Sequence, residues 1–320
     1  QREHVLATGA GFEQLRRPST LAQDVAAAFR RAVVERRPIV LNCPADFQWL
    51  DAEYSFVPFF AAYERAVVPV SDDLDNAVGI IAAARSPIVL AGRGAVDAES
   101  RAALIRLAER IDAPLATTLK ARGLFRGEPF DMGVFGTLSH DAAVEVIGAS
   151  DCIIAFGAGL NRYTGGHWGY FEGKRIVQIN LERTEVGKTL TPAAGLVGDP
   201  ALTADRIVEL LDMAEIPGSG FRTEEMRAKL SAATIAPQLS KERAAGTVDI
   251  RAALRRLDEA VPADRIVVHD GGRFMVESWK SVKAQDPRSY VHTVNSACIG
   301  LGMGEAIGAA IAVKDRPTLL

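Results

Sequence analysis

The sequence lacks the features that would place it in a specialised class of proteins. Its 3 cysteines lie far apart, which excludes a disulfide framework or a cysteine-rich metal site. The net charge of -3 provides no basic field for nucleic acid. No apolar run reaches the roughly 20 residues of a membrane-spanning helix, and no charged-then-apolar leader opens the sequence. These absences predict reduced thiols, a cytoplasmic location, and neither a nucleic-acid nor a membrane partner.

What is present is the composition of an ordinary globular protein. Apolar residues make up 48% of the 320 residues and charged residues 24%, which is typical of domains with a buried core. At about 100 to 200 residues per domain, this length predicts about two domains. The 5 histidines show no metal-ligand spacing, so we interpret each of them as structural.

The middle of the chain has the alternating pattern of a nucleotide-binding fold. Residues 87–91 form an apolar run that predicts a buried strand, the turn Gly92-Arg93-Gly94 follows, and a helix begins near Ala98. Strands alternating with helices predict an α/β fold with a parallel, doubly wound, Rossmann-like central sheet. The other elements of the pattern are strands at 115–119, 152–156 and 176–180, a helix at 141–149, and the turn Gly157-Ala158-Gly159.

The two glycine turns are candidate ligand-binding segments. Ligands of doubly wound sheets lie across the carboxyl ends of the strands, where these turns are placed. Gly92-Arg93-Gly94 is not a dinucleotide fingerprint, because Asp97 stands where the third glycine would be. A tight turn without a ligand explains the motif equally well.

The predicted central domain, residues 74–213, is flanked by partial α/β units. Residues 19–46 predict one helix and one strand after an irregular start at 1–17, and the pattern offers this strand no partner. We therefore interpret residues 1–50 as the end of a domain. Linkers are predicted at 51–73 and 214–246, where proline, glycine and scattered aromatic residues interrupt the periodicity.

Residues 247–320 predict the start of a further unit. A strand at 265–269 ends in Asp270-Gly271-Gly272-Arg273, and a glycine-rich segment at 297–304 leads into a helix predicted at 305–313. Glycines that follow a strand let backbone N–H groups approach an anion, and Arg273 adds a positive charge.

The order of these segments resembles the thiamine-diphosphate enzymes of the acetolactate synthase and benzoylformate decarboxylase group. The resemblance covers nearly the whole chain. It implies that residues 1–50 close a pyrimidine-binding domain, that 74–213 are the central domain, and that 247–320 open a diphosphate-binding domain. The segments that carry it are Arg36–Asp46, Pro87–Ala95, Gly157–Asn161, Ile179–Lys188, Gly198-Asp199, Asp270–Phe274 and Ile299–Gly308.

The resemblance implies a site for thiamine diphosphate. Ile299 takes the place of the bulky residue that bends thiamine, and a β-branched side chain is stiff enough for that role. Ordinary core packing is the alternative for Ile299. The activating glutamate and the magnesium ligands of the family are expected outside this sequence, so we assign no metal ligand and expect the chain alone to be incomplete for catalysis. The residues implied to bind the diphosphate are Asp270, Gly271, Gly272, Arg273, Phe274 and Gly300.

A second site is implied in the central domain, where the family binds flavin. Gly159 stands in the place of a flavin-contacting arginine, and Asn180 and Glu182 replace two aspartates, so the resemblance leaves FAD open. A domain kept for packing after the loss of its nucleotide is the alternative. The candidate residues for FAD or ADP are Gly92, Arg93, Gly94, Gly157, Ala158, Asn180, Glu182 and Asp199.

The activity that the resemblance implies is the decarboxylation of a small 2-oxo acid followed by carboligation, as in acetolactate synthase. Thiamine diphosphate and Mg²⁺ are the implied cofactors. Two alternatives stay open: a decarboxylase of the benzoylformate type, which releases an aldehyde, and a non-catalytic FAD- or ADP-binding module. Because thiamine lies between subunits in this family, a homodimer or homotetramer is expected.

Overall fold

A computed structural model describes residues 1–53, 55–59, 71–233, 244, 246–293 and 298–320. The chain forms two compact units, Gln1–Arg65 and Ala66–Leu320. This division falls inside the linker predicted at 51–73, while the predicted domain boundaries themselves stay predictions. Parts of both predicted linkers lie outside the described residues. Within the described ranges, every helix is too short or too polar to cross a bilayer.

The first unit contains a small sheet that the sequence pattern does not predict. Its main elements are α1 (Arg2–Ala7), β1 (Gly11–Gln14), α2 (Leu21–Glu35) and β2 (Ile39–Asn42). β1 and β2 pair in parallel. The predictions of an irregular start and of a strand without a partner were therefore wrong. The sequence pattern does not predict β1 because this strand has only four residues, of which two are polar and most are half-buried.

The central region begins the second unit, and its helices and strands alternate along the chain. β3 to β8 form one six-stranded sheet in the order β5-β4-β3-β6-β7-β8. All of its neighbouring strands are parallel, which confirms the predicted doubly wound α/β fold. The elements are α3 (Asp72–Ala82), β3 (Pro87–Ala91), α4 (Ala98–Arg110), β4 (Leu115–Thr117), β5 (Asp131–Val134), α5 (Asp141–Ala149), β6 (Cys152–Phe156), β7 (Arg175–Asn180), β8 (Ala194–Val197), α6 (Pro200–Met213) and α7 (Glu224–Ala232).

Helices cover both faces of this sheet, which explains why its central strands are continuous apolar runs. Val89 and its neighbours on one face pack against α3, α4 and α6. Ile88 and Leu90 on the other face pack against α5 and α7. Each fully buried aliphatic side chain contributes about 1.5 to 3 kcal/mol by removing apolar surface from water. The strand predicted at 115–119 ends at Thr117 because the next residues, Leu119–Ala121, form a 3₁₀ turn.

Side chains that accept backbone hydrogen bonds determine where the central helices begin. The Ser71 hydroxyl caps α3, the Asp97 carboxylate accepts from Ser100 N at 2.8 Å at the start of α4, and Asp199 accepts from Ala201 N at 2.9 Å at the start of α6. Each such cap contributes about 1 kcal/mol by satisfying N–H groups that have no partner inside the helix.

The remainder of the second unit carries a three-stranded parallel sheet in the order β10-β9-β11. Its elements are α8 (Ile250–Ala260), β9 (Ile266–His269), α9 (Met275–Ser281), β10 (Tyr290–His292), α10 (Leu301–Ala312) and β11 (Thr318–Leu319). α10 begins four residues before the predicted helix start at 305, with Gly300 as its N-cap. The prediction placed the start too late because Gly302 and Gly304 read as part of the glycine-rich turn.

Candidate functional site

The two predicted glycine turns meet where the strand order of the central sheet reverses. β4 and β5 lie on one side of β3, whereas β6, β7 and β8 lie on the other. Gly92 N donates to Phe156 O at 2.8 Å, and Gly94 N donates to Gly157 O at 3.1 Å. A Cβ on Gly92 would overlap the Gly157 carbonyl oxygen and lie 2.5 Å from Ala158 Cα. The close approach of the two backbones therefore requires glycine at this position.

Three N–H groups of these turns, those of Gly92, Gly94 and Gly157, are already used inside the protein. Besides the two bonds above, Gly157 N donates to Ile179 O at 2.8 Å. A bound phosphate would compete with these hydrogen bonds for the same donors. The glycines are thus accounted for by backbone packing, and by themselves they do not indicate a nucleotide.

The other candidate residues of the FAD or ADP site have different environments. The Asn180 amide is buried and lies 3.5 Å from Ala158 O. Asp199 is also buried, and its carboxylate caps α6. Arg93 and Glu182 are exposed at the same edge of the sheet. The nucleotide assignment for these residues stays a prediction.

The candidate thiamine residues include a hydrogen-bonded pair of turns at the carboxyl end of β9. The Asp270 carboxylate accepts from Gly271 N at 2.7 Å and from Gly300 N at 2.8 Å. The hydrogen bond from Gly271 is the main reason that the pKa of Asp270 is lowered, and the bond from Gly300 adds to it. An ionised Asp270 therefore joins the turn at 270–272 to the turn at 298–300.

Ile299 lies on this second turn and is 77% exposed. A Cβ on Gly271 would lie 3.4 Å from Ile299 Cγ1 and 3.1 Å from Cys298 O, so the two turns are in contact. A side chain this exposed is not packed in a core, so the alternative interpretation of Ile299 as a core residue does not hold in this structure. The structure thus brings together Asp270, Gly271, Ile299 and Gly300 from the predicted set.

The same pair of turns is the predicted diphosphate site, and its Gly271 and Gly300 N–H groups already donate to the Asp270 carboxylate. Gly272 has φ 147° and Gly300 has φ 98°, a backbone region that favours glycine, and the Phe274 ring lies close to Gly272. Arg273 and Phe274 follow directly and are both exposed, which leaves the guanidinium free to approach an anion from solvent. Within the described ranges, no group of three or more His, Cys, Asp or Glu side chains is arranged to hold a metal ion.

Sequence reasoning named Arg93 as a nucleotide candidate but missed that Lys120 and His292 lie near it, where the two sheets of the second unit meet. Lys120 follows β4 and Arg93 follows β3, and burial together with the charge of Arg93 lowers the pKa of Lys120. Burial and both of these cations lower the pKa of His292, at the end of β10, to about 4. Basic residues directly after two neighbouring strands of a doubly wound sheet were the signal that could have revealed this group.

The fold and this pair of turns define a class: a doubly wound α/β domain followed by a parallel sheet that presents a candidate cofactor site. Residues 74–207 match the family model described as "Thiamine pyrophosphate enzyme, central domain". Residues 74–207 of this chain are therefore similar to the central domain of thiamine pyrophosphate enzymes.

Curated relatives extend this similarity over most of the chain. Sulfoacetaldehyde acetyltransferase of Roseovarius nubinhibens is 26% identical over 96% of this chain and 54% of its own length. The acetolactate synthase large subunit of Parasynechococcus marenigrum is 27% identical over 94% of this chain and 49% of its own length. Acetolactate synthase of Mycobacterium bovis is 26% identical over 90% of this chain and 48% of its own length. The chain thus spans about half the length of the curated relatives it matches.

Proposed function

We propose that the natural protein carrying this sequence is a thiamine-diphosphate-dependent enzyme that decarboxylates a 2-oxo acid and ligates the product to a second carbonyl compound, as acetolactate synthases do. The observation that carries the proposal is the pair of turns at 270–272 and 298–300, joined by the Asp270 carboxylate and followed by the exposed Arg273. The similarity to acetolactate synthases supports it.

Each residue of these turns has a proposed task. Thiamine diphosphate, when bound, supplies the carbanion that attacks a carbonyl and the electron sink that accepts the electrons of decarboxylation. Arg273 and the side-chain-free backbone at Gly272 are suited to hold the diphosphate oxygens. Ile299 is proposed to press against the cofactor from the second turn, and Asp270 fixes the position of that turn.

The basic residues between the two sheets favour an anionic substrate. The basic side chains of Arg93 and Lys120 lie near His292, whose pKa burial lowers to about 4, so this region favours a carboxylate such as that of a 2-oxo acid. The related sulfoacetaldehyde acetyltransferase suggests a second candidate, acyl transfer starting from an anionic aldehyde. Mg²⁺ is proposed as the accompanying ion. FAD and the cytoplasmic location remain predictions.

A product assay tests this function. The purified natural protein is incubated with thiamine diphosphate, Mg²⁺ and either pyruvate or sulfoacetaldehyde, and CO₂ and organic products are quantified with and without the cofactor. We expect cofactor-dependent release of CO₂ from pyruvate with formation of a ligated 2-hydroxy-2-acyl product. Release of a free aldehyde would instead favour the simple decarboxylase. Turnover of sulfoacetaldehyde but not of pyruvate, in a parallel reaction that also contains an acyl acceptor, would favour acyl transfer. No cofactor-dependent product from either compound would contradict the proposal.

We also propose that the natural protein is a homodimer or homotetramer. A stripe of apolar side chains at a spacing of four residues runs from the turn at 298–300 along α10, and its members are 54% to 77% exposed. Exposed apolar stripes of this kind mark surfaces that a partner covers. The stripe consists of Ile299, Met303, Ile307 and Ile311.

A further inference from the structure

The loop that follows β4 packs against the part of the chain that forms the three-stranded sheet. We call residues 118–126 the β4 loop. Leu119 packs in the apolar cluster that contains Tyr290. Gly123 has φ 84°, and a Cβ on it would lie 3.2 Å from the carbonyl oxygen of Ala284, so the two backbones are in close contact. The β4 loop is therefore fixed against the segment that leads into β10.

Arg122 is placed at the centre of this contact. Its guanidinium carbon lies 5.9 Å from the centre of the Tyr290 ring, a distance at which a cation is attracted to the ring face. Burial lowers the pKa of Arg122, and its buried Nη1 has no hydrogen-bond partner among the described residues. The guanidinium also forms a side-chain hydrogen bond with Tyr290, but burying it with Nη1 unpaired costs stability. Packing alone therefore does not account for an arginine at this position.

Tyr290 connects Arg122 to the end of β9. The Tyr290 hydroxyl lies 3.3 Å from His269 Nδ1, and the two rings meet edge to face with their centres 5.2 Å apart. His269 Nε2 lies 3.0 Å from the Ser278 hydroxyl on α9. His269 and Tyr290 are both buried, at 6% and 7% exposure, so this contact is shielded from water. Both nitrogens of the His269 ring are thus held in place.

His269 is the residue directly before the candidate cofactor turn. The next residue, Asp270, binds Gly271 N and Gly300 N through its carboxylate. A continuous series of contacts therefore runs from Arg122 through Tyr290 and His269 to the turns at 270–272 and 298–300. A shift at the first contact would be passed on to the residues that are proposed to hold the cofactor.

We propose that Arg122 is a positioning residue of the central domain, which holds the candidate thiamine-diphosphate turns in place through its contact with Tyr290. That these turns hold thiamine diphosphate rests on the proposed function. The contacts that link Arg122 to the turns do not depend on that function. Arg122 itself does not touch the cofactor in this account. Within the β4 loop, the positioning role belongs to Arg122 and its contact with Tyr290, and not to the loop as a whole.

The test compares Arg122→Met in the natural protein with the unaltered protein. Methionine keeps the length and apolar contacts of the side chain but removes the charge. We expect the melting temperature of the cofactor-free protein to stay the same or rise, because a buried, incompletely paired charge is removed. We expect backbone amide hydrogens at 266–272 and 298–302 to exchange about 2- to 30-fold faster, and the affinity for thiamine diphosphate with Mg²⁺ to fall by a similar factor.

Three comparisons make the result specific. Arg126→Met is the matched control: it changes an arginine of the same loop that donates to Ala284 O but does not stack on Tyr290, and it should leave exchange and affinity unchanged. Tyr290→Phe keeps the ring and removes the hydroxyl that faces His269, so it should also loosen the turns. The double variant of Arg122→Met and Tyr290→Phe should lose less than the sum of the single losses, because both act through one contact.

The outcomes separate this inference from the proposed function. Unchanged exchange at 266–272 and 298–302 in Arg122→Met would overturn the positioning role, as would an equal effect of Arg126→Met. If Arg122→Met fails to fold, Arg122→Lys replaces it, because lysine keeps the charge without the planar stacking surface, and unchanged exchange there would again reject the role. If the unaltered protein binds no thiamine diphosphate, the proposed function is wrong. The hydrogen-exchange measurement still shows whether Arg122 holds the turns at 270–272 and 298–300 in place.

Discussion

The contact between the glycine turns predicts that Gly92→Ala destabilises the central sheet even when no ligand is present. The added Cβ would overlap the Gly157 carbonyl oxygen and lie 2.5 Å from Ala158 Cα. Both obstacles are backbone atoms, which cannot rotate away as a side chain can. The hydrogen bond from Gly92 N to Phe156 O, at 2.8 Å, fixes the same separation, so relief requires β3 and β6 to move apart. Overpacking of this kind costs about 1 to 3 kcal/mol, and we expect the upper part of that range.

Gly159→Ala is the matched control, because it lies in the second turn and a Cβ there would meet no atom within 4 Å. We expect its effect to stay within about 0.5 kcal/mol, as for other exposed substitutions. Hydrogen exchange of the β3 and β6 amides in increasing guanidinium chloride, on cofactor-free protein, measures the free energy of opening the central sheet. Equal opening free energies for the two variants would refute the packing explanation. The turn glycines would then need another explanation, such as the close approach of a nucleotide.

Three further predictions concern the remaining sites. Ile299→Ala should change the melting temperature little, since this side chain is 77% exposed, but should lower turnover at saturating cofactor more than it lowers cofactor affinity. Burial lowers the pKa of His269 to about 3 in the folded state, whereas a histidine in the unfolded chain titrates near about 6.5. Between these two values only the unfolded state binds a proton at this residue, and this favours unfolding as pH falls. Stability should therefore fall by about 2 kcal/mol between about pH 8 and pH 5 through this residue, and His269→Asn should reduce that pH dependence in guanidinium unfolding. Light scattering of the natural protein should give at least a dimer, and a monomer at high concentration would count against the proposed assembly.

The sequence predicts the centre of the fold better than its edges. The buried strands β3 and β6 are continuous apolar runs because helices cover both faces of the sheet. The edge strand β8 has alternating burial and only four residues, and β5 contains Gly133 with φ 68°, so neither produces a clear pattern. Short strands of this kind become recognisable only through the neighbours with which they pair.

The candidate site shows the same limit. The resemblance predicts the turn at Asp270–Gly272 and Ile299, but not the hydrogen bond from Gly300 N to the Asp270 carboxylate that joins them, because this contact spans a long stretch of chain. Arg122 was missed altogether. A single arginine after a strand has no periodicity, and its role depends on a tyrosine contributed by the other sheet.

The most direct test of the central claim is a calorimetric titration of the natural protein with thiamine diphosphate in the presence of Mg²⁺. We predict saturable binding with one cofactor per chain, and weaker binding when Arg273 is replaced by Met, because that change removes the exposed cation beside the turn. The absence of saturable binding by a protein that is folded by circular dichroism would contradict the proposal that this chain is part of a thiamine-diphosphate-dependent enzyme.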